Sequence, residues 1–504
     1  MNEVSNIFTF KNVYKAYLQC RSNKRNNASA LKFEMNAEEN VWRLTEQLKQ
    51  HTYKPLPSTC FIAPQPKKRE IFAANFRDRV IHHLIVSYLE PIWERKFIFD
   101  SYACRKNKGT HAAVKRLQDF MRKVSYNGQH KAFYLHLDIK SFFISINKQI
   151  LYDILIRKEP NTDIIWLLNI IIFHDCAYDP IIKGDPSKFS EIPAYKSLFH
   201  TKNITGLPIG NYTSQFFANV YLNKLDQYVK HELKCHYYIR YVDDFVLLDN
   251  KRENLVYWEN QIKDFLAKEL KLELNPKSRH FAPIKNGSNF LGYIVRPSHC
   301  LVRQRIVGNL KNKLRQYEKQ LISKNEDTIT FRYDKTSVDK LRSSLASYLG
   351  HFKHASTWKL KTAIFKRYDF LNQYFKLDKM KNRLIPIYPV PPRFRNLCRQ
   401  YNWFLRNYKR HFIFFQVGCF YEFYGPNAKK AKFLFQLKMG ASRKRLGRRI
   451  GFPLESLKKY LEHSLPVFDK IIVVGETLQY KGIVKMREVK FQFKEMIKKD
   501  AINQ

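Results

Sequence analysis

The tightest constraint in this 504-residue chain is a pair of adjacent aspartates, Asp243 and Asp244, inside an otherwise β-branched and aromatic run, HYYIRYVDDFVLL (236–248). Aspartate favours turns, whereas the flanks have the composition of strands. The run therefore predicts a hairpin whose tip carries two carboxylates. A third, Asp138, closes another strand-like run, AFYLHLDI (132–139). Each alone has an ordinary explanation, a helix cap or a surface turn. Brought together, their like charges repel unless a cation neutralises them. Mg2+ suits such a site because it takes a few carboxylates plus substrate phosphates. Two such ions would clamp the attacking and leaving oxygens of an in-line phosphoryl transfer.

These carboxylates stand out because the chain is strongly basic, with 90 Lys and Arg against 44 Asp and Glu and a net charge of +46. That surplus argues against a small-molecule metabolic enzyme and for a polyphosphate partner, whose counterions each bound Lys or Arg releases. Hydrophobic residues at 44% and aromatics at 15% exclude a disordered chain. The length implies roughly two to four folded units. The eight cysteines are scattered singly with no CxxC pair, so neither a zinc ribbon nor a disulfide framework is expected, and reduced thiols imply a cytoplasmic setting. The start, MNEVSNIFTF, has no signal-peptide pattern. The longest apolar stretch, IIWLLNIIIF (164–173), falls short of the ~18–20 residues that span a bilayer, so no membrane segment is expected.

Along the chain, residues 1–54 form a polar N-terminal helical extension with Val41, Leu44 and Leu48 at helical spacing. Residues 55–297 alternate short strand-like runs with longer helical ones, and 298–385 read as basic helices. Prolines 386, 389, 391 and 392 mark a stiff linker over 386–400. Residues 401–504 return to α/β texture, with IFFQVGCFYEFYG and KIIVVGE as strands. The fold class is thus α/β (α+β).

Eight segments occur in order: KKREI, FRDRV, SYACRKNKG, YLHLDIKSFF, GLPIGNYTSQFFANVYL, YVDDF, LNPKS and NFLGY. Together they resemble the consecutive motifs of a reverse transcriptase of the group II intron-like lineage. The resemblance implies a right-hand polymerase fold, with fingers and palm over 55–297 and a helical thumb over 298–385. It implies Asp138 and Asp243 as the main ligands of two Mg2+ ions (Mn2+ a substitute), with Asp244 beside them and the Ile139 carbonyl completing the site. Lys67, with Lys68 as the alternative, and Arg69 fall where the family grips the incoming triphosphate. Phe143 matches the ring that excludes a ribose 2′-OH, so dNTPs are the implied substrates; its plain alternative is a core aromatic beside Phe142. Lys277 matches a lysine near the departing pyrophosphate. Leu291 and Gly292 resemble the primer grip, and Arg105 in SYACRKNKG is counted among the nucleic-acid contacts.

Within that lineage, the segment reading Ile209-Gly210 and ending Ser214-Gln215 resembles the reverse transcriptases of diversity-generating retroelements, whose genes are prokaryotic or phage-borne. Those enzymes copy a template-repeat RNA into cDNA and misincorporate opposite its adenines. Ile209, Gly210 and Gln215 would then border the dNTP, and Ile209 would offer a methyl surface where relatives carry an amide. Losing a polar contact weakens discrimination. The alternative is drift between residues of similar volume.

Arg303, Arg305, Lys311 and Arg315 lie on a basic helix that would follow the template–primer backbone. Residues 411–478 resemble the mismatch-contacting first domain of MutS, with its Phe-x-Glu pair on Phe420 and Glu422 and an added basic run including Arg443 and Arg445. The resemblance implies an accessory nucleic-acid-binding domain, with Phe420 as a core residue the alternative. Template RNA, RNA/cDNA duplex and a retroelement accessory protein are the implied partners. Two other functions compete: a domesticated reverse transcriptase of antiphage defence, and a non-catalytic RNA-binding scaffold, against which the intact Asp138, Asp243 and Asp244 argue.

Overall fold

The computed structural model describes residues 7–22, 27–63, 68–201, 204–325, 328–378, 383–387, 392, 394, 396–443, 445–481 and 484–495. The chain divides into two compact units, Met1–Cys300 and Leu301–Gln504.

The first unit is built on two sheets of mixed α/β layout. β1 (Thr59–Ala63) and β2 (Arg69–Ala73) pair antiparallel. β3 (Phe133–Asp138) lies in the second sheet, and β4 (Ile181–Ile182) pairs parallel to β1. β5 (Tyr237–Tyr241), β6 (Asp244–Asp249) and β7 (His280–Pro283) complete an antiparallel sheet of order β5-β6-β3-β7. A short hairpin, β8 (Ser288–Phe290) and β9 (Tyr293–Val295), follows.

The central residues of both inner strands are buried on both faces, and strand alternation sorts them between the two. Leu135 and Leu137 of β3 and Phe245 and Leu247 of β6 are at most 2% exposed and form one core with two helices. These are α1 (Tyr212–Gln227), through Phe217 and Tyr221, and α2 (Arg252–Glu269), through Leu255 and Ile262. Each such side chain contributes about 1.5–3 kcal/mol by leaving water. On the opposite face a helix at Thr110–Val124 covers the far end, with Phe120 and Tyr237 ring centroids 5.3 Å apart. The helix starts at the other end, where Thr110 donates to the Tyr241 hydroxyl at 3.2 Å, and the aspartates there line a cavity.

The N-terminal extension is helical at Phe10–Arg21, Ala28–Glu34 and Ala37–Lys49, and Val41, Leu44 and Leu48 are buried. Its rings join the same core: Phe33 lies 5.3 Å from Phe76.

The second unit holds an eight-stranded sheet. Its strands are β10 (Ile322–Lys324), β11 (Thr328–Arg332), β12 (Phe412–Val417), β13 (Phe420–Tyr424), β14 (Ser442–Arg443), β15 (Gly447–Pro453), β16 (Lys470–Lys481) and β17 (Val484–Glu495). Their order is β10-β11-β17-β16-β12-β13-β15-β14. β12 is apolar on both faces because both are covered. Phe412 and Phe414 pack with Phe423 and Phe452 on one side, while Phe415 meets Tyr401 and Phe404 of α3 (Leu397–Asn407) on the other.

The sequence divides this half into thumb, linker and accessory domain. The contacts group it as one unit, because β11 pairs with β17 through residues such as Phe331 and Gln492. Tyr333 and Gln373 both donate to Gln492 Oε1, at 2.9 and 2.7 Å. Of the proline cluster, Pro389 and Pro391 lie outside the described residues. Among the described residues no helix is long and apolar enough to cross a membrane.

Candidate active site

β5 and β6 are joined by a two-residue turn, Val242-Asp243, because Tyr241 pairs directly with Asp244. Val242 has φ +56°, a left-handed conformation that a β-branched residue adopts only under strain. A fully buried Arg240 holds it there. Its Nη1 donates to the Val242 carbonyl at 3.0 Å, and its Nε and Nη2 donate to the equally buried Asp226 of α1 at 2.7 and 2.5 Å.

The β3–β6 register sets Asp138 opposite Asp244. Asn275 fixes Asp138 twice, its Nδ2 donating to Oδ2 at 2.9 Å and its backbone N–H to the Asp138 carbonyl at 2.8 Å. Ile139 N–H donates to the Asp243 carbonyl at 3.2 Å, tying the turn to β3. His136 Nε2 hydrogen-bonds Asp244 Oδ1. Asp243 has no side-chain donor from another residue among the described residues. Burial, then the neighbouring charge of Asp138 and of Asp244, push its carboxyl up to about 7, with Arg69 opposing.

These groups line a cavity of about 420 Å3. Of the residues expected at the site, Arg69, Asp138, Ile139, Phe143, Ile209, Asp243, Asp244 and Leu291 meet there. Leu291 and Gly292 form the two-residue tip of the β8–β9 hairpin, with φ +49° and +91°. Phe143 packs partly against the core while lining the cavity. A larger groove, about 1130 Å3, is lined by Trp93, Lys96, Ile154, Lys224 and Phe265 and holds none of the expected residues.

Other expected residues lie elsewhere. Lys67 is outside the described residues. Lys68 lines the cavity, with its ammonium paired to Glu191. Lys277 is exposed and does not line the cavity. Gln215 is exposed on α1, where Cys104 Sγ approaches its Oε1 at 3.4 Å, outside the cavity lining. Gly210 supports the wall from behind: Phe72 N–H donates to the Ile209 carbonyl at 2.8 Å, and a Cβ on Gly210 would come within 2.8 Å of the Phe72 oxygen.

Arg105 requires correction. Its side chain is 6% exposed, bonded to the Glu94 carboxylate and to the carbonyls of Ile98 and Ser101, so it braces a loop and offers no fork to a phosphate. Glu422 also differs. It is 3% exposed, and its carboxylate accepts from Tyr424, from Arg449 and from Arg443 at 3.1 Å, so it faces internal partners and not a base edge. Arg443 is thereby committed to an internal ion cluster, whereas Arg445 is exposed. Phe420 is 47% exposed at the start of β13, so the core alternative for it does not hold.

On the helix Gln304–Leu321, Leu310 and Leu314 face inward, Arg305 and Arg315 are exposed, and Arg303 and Lys311 are half-buried. None of the four forms an ion pair among the described residues.

Sequence reasoning passed over Asn275, His136, Arg240 and Lys196. Asn275 sits inside LNPKS, where the family resemblance points to Lys277 instead. His136 precedes Asp138 by two, a same-face spacing that could have flagged it. Lys196 lines the cavity from a connection between helices that carries no strand or helix pattern in sequence.

Among the described residues no three carboxylate, imidazole or thiol groups already converge as a metal cage. Asp244 is hydrogen-bonded by His136 through one oxygen only. The donor chemistry still fits a hard divalent cation: Asp138 and Asp243 are close enough for one to raise the other's carboxyl, and Mg2+ is held by one or two carboxylates plus substrate phosphates.

Residues 63–295 match the family model described as reverse transcriptase (RNA-dependent DNA polymerase), and residues 395–499 match MutS domain I. The first match and the mixed α/β layout of that region give the right-hand polymerase fold expected from the sequence. Over 375 residues the chain is 23% identical to the group II intron-encoded protein LtrA of Lactococcus lactis subsp. cremoris, covering 61% of this chain and 58% of that protein. It is 23% identical over 297 residues to Protein YkfC of Escherichia coli (strain K12), covering 52% and 71%. A solved apo telomerase from Candida tropicalis, truncated from its C-terminal domain, aligns with TM-score 0.35 and 12% identity over 52% of this chain and 60% of that one.

Proposed function

We propose that this protein is an RNA-directed DNA polymerase that copies a template-repeat RNA into cDNA, with errors at template adenines, for targeted gene diversification. The observation that carries the reading is the β3–β6 register, which brings Asp138, Asp243 and Asp244 to one cavity with Arg69, Phe143 and Ile209.

In this reading Asp138 and Asp243, with Asp244 beside them and the Ile139 carbonyl, would hold the divalent ions together with the dNTP phosphates. When bound, the ions neutralise the phosphates and stabilise the attacking and leaving oxygens. Arg69 presents a planar fork to the triphosphate. The primer 3′ oxygen attacks the α-phosphorus, the bond to the bridging oxygen breaks, and pyrophosphate leaves. Phe143 bounds the sugar side and rejects a 2′-OH by bulk. The Val242-Asp243 turn, pinned by Arg240, keeps its carboxylate in place through the cycle, so little reorganisation is left to the reaction step.

Error at adenines rests on Ile209, which lines the cavity with methyl surface only. Discrimination by shape alone is weak. The C-terminal domain acts as an accessory nucleic-acid module, its exposed Phe420 available for stacking. Template RNA, RNA/cDNA duplex and a retroelement accessory protein are its partners in a bacterial or phage-infected cytoplasm.

The test is cDNA synthesis from a defined RNA template with the Asp243→Ala/Asp244→Ala double variant. Synthesis disappears while RNA binding persists; continued synthesis would refute the assignment.

A further inference from the structure

His136 lies two residues before Asp138 on β3, so the pleat sets both on the face turned away from the α1–α2 core. The register pairs His136 with Val246 and Asp138 with Asp244, which makes Asp244 the diagonal neighbour of His136. The imidazole bridges that diagonal, its Nε2 bonded to Asp244 Oδ1.

The ring cannot easily go elsewhere. His136 is 8% exposed and enclosed by His280 and Phe290, with ring centroids 6.0 and 6.1 Å away. Its Nδ1 is buried without a partner. An N–H there would be an unsatisfied buried donor, costing about 1–3 kcal/mol. The hydrogen-bond network therefore assigns the proton to Nε2, facing the carboxylate.

Asn275 treats Asp138 in the same way, taking Oδ2 and leaving the other oxygen unclaimed. Each carboxylate beside Asp243 is thus held through one oxygen by a donor anchored in the surrounding structure. His136 itself does not line the cavity and reaches it only through Asp244.

We propose that His136 is a positioning residue for the divalent-ion site: it holds Asp244 by Oδ1 so that the second oxygen faces the ion carried by Asp138 and Asp243. This rests on the polymerase reading of the same site. Removing such an outer partner of a metal-binding carboxylate typically weakens metal affinity about 10–100-fold.

The experiment is a Mn2+ titration of the full-length protein, followed by the electron paramagnetic resonance signal of free Mn2+, with Asp138→Asn defining the site-specific fraction. His136→Leu removes the donor, and its affinity falls at least about tenfold. His136→Gln, whose amide donates in the same direction, recovers most of it. Thermal melts without metal establish that each variant is folded; should His136→Leu fail to fold, His136→Asn, too short to span the diagonal, replaces it with the same expected loss. Unchanged or tighter binding by the donor-less variant, with Asp138→Asn still abolishing it, overturns the role of His136 alone. Absence of any Asp138-dependent Mn2+ binding in the wild type overturns the reading of the site beneath it.

Discussion

The guanidinium of Arg240 donates to the carbonyl of Val242, 3.0 Å away, from a position with no solvent exposure. The strained turn that carries Asp243 is thereby fastened from below, and the fastener is itself anchored by Asp226 on α1. Asp226→Asn leaves Arg240 as a buried charge without its counterion. Loss of about 3–5 kcal/mol is expected, because breaking such a pair from one side exposes its full desolvation cost. Chemical denaturation measures the loss. Polymerisation at a permissive temperature should also fall, since the turn loses its brace.

Asp243 gives the metal-free protein a defined pH dependence. Its carboxyl titrates near 3.8 in the unfolded chain and at about 7 in the fold, raised chiefly by burial and by Asp138. Between those values the native state keeps a proton that the unfolded state has released, so stability falls as pH rises through that window. At about 1.36 kcal/mol per unit the penalty is about 4 kcal/mol at most. Asp243→Asn removes it: without metal, the variant should gain stability over wild type progressively from about pH 4 to 7 and no further above that. Equal melting profiles across that range would contradict the shift.

Ile209 and Gln215 separate cleanly in space, one on the cavity wall and the other exposed on α1. Ile209→Gln should lower misincorporation opposite template adenines, read by sequencing cDNA from a defined template. Gln215→Ala should leave the error spectrum as it is. A change produced by Gln215 and not by Ile209 would exchange the roles of the two residues.

In the C-terminal domain, Phe420→Ala alters a half-exposed ring and should shift stability by no more than about 0.5 kcal/mol. Binding to distorted duplexes should weaken more than binding to single strands, by gel shift at fixed salt. Glu422→Ala removes the shared partner of Arg443, Arg449 and Tyr424; the two arginines are over a third exposed and stay solvated, so the loss should be about 1–3 kcal/mol, mainly from the buried Tyr424 hydroxyl.

The palm was legible because its signals are local: two apolar runs, a turn at the aspartate pair between them, and Asp138 at the end of a third. The turn itself falls on Val242-Asp243, with Asp244 already in the strand, and the apolar runs are buried on both faces. What escaped depends on partners distant in sequence. Arg105 looks like any arginine of a basic chain until Glu94 and two carbonyls close around it. Glu422 falls on a family motif, yet Arg449, two places along the paired strand, and Arg443 decide its fate. Lys196 lines the cavity from a stretch tied to β2 by the Leu198 N–H donating to the Glu70 carboxylate at 2.8 Å, a long-range bond that no periodicity announces.

The pairing of β11 with β17 makes the C-terminal block part of the scaffold of the helices before it. Cutting the chain at the proline cluster would strip hydrogen-bond partners from Thr328–Arg332, baring a strand margin of the kind that recruits other chains. A shortened protein would therefore expose an unpaired strand to association with other chains, whatever its chemistry.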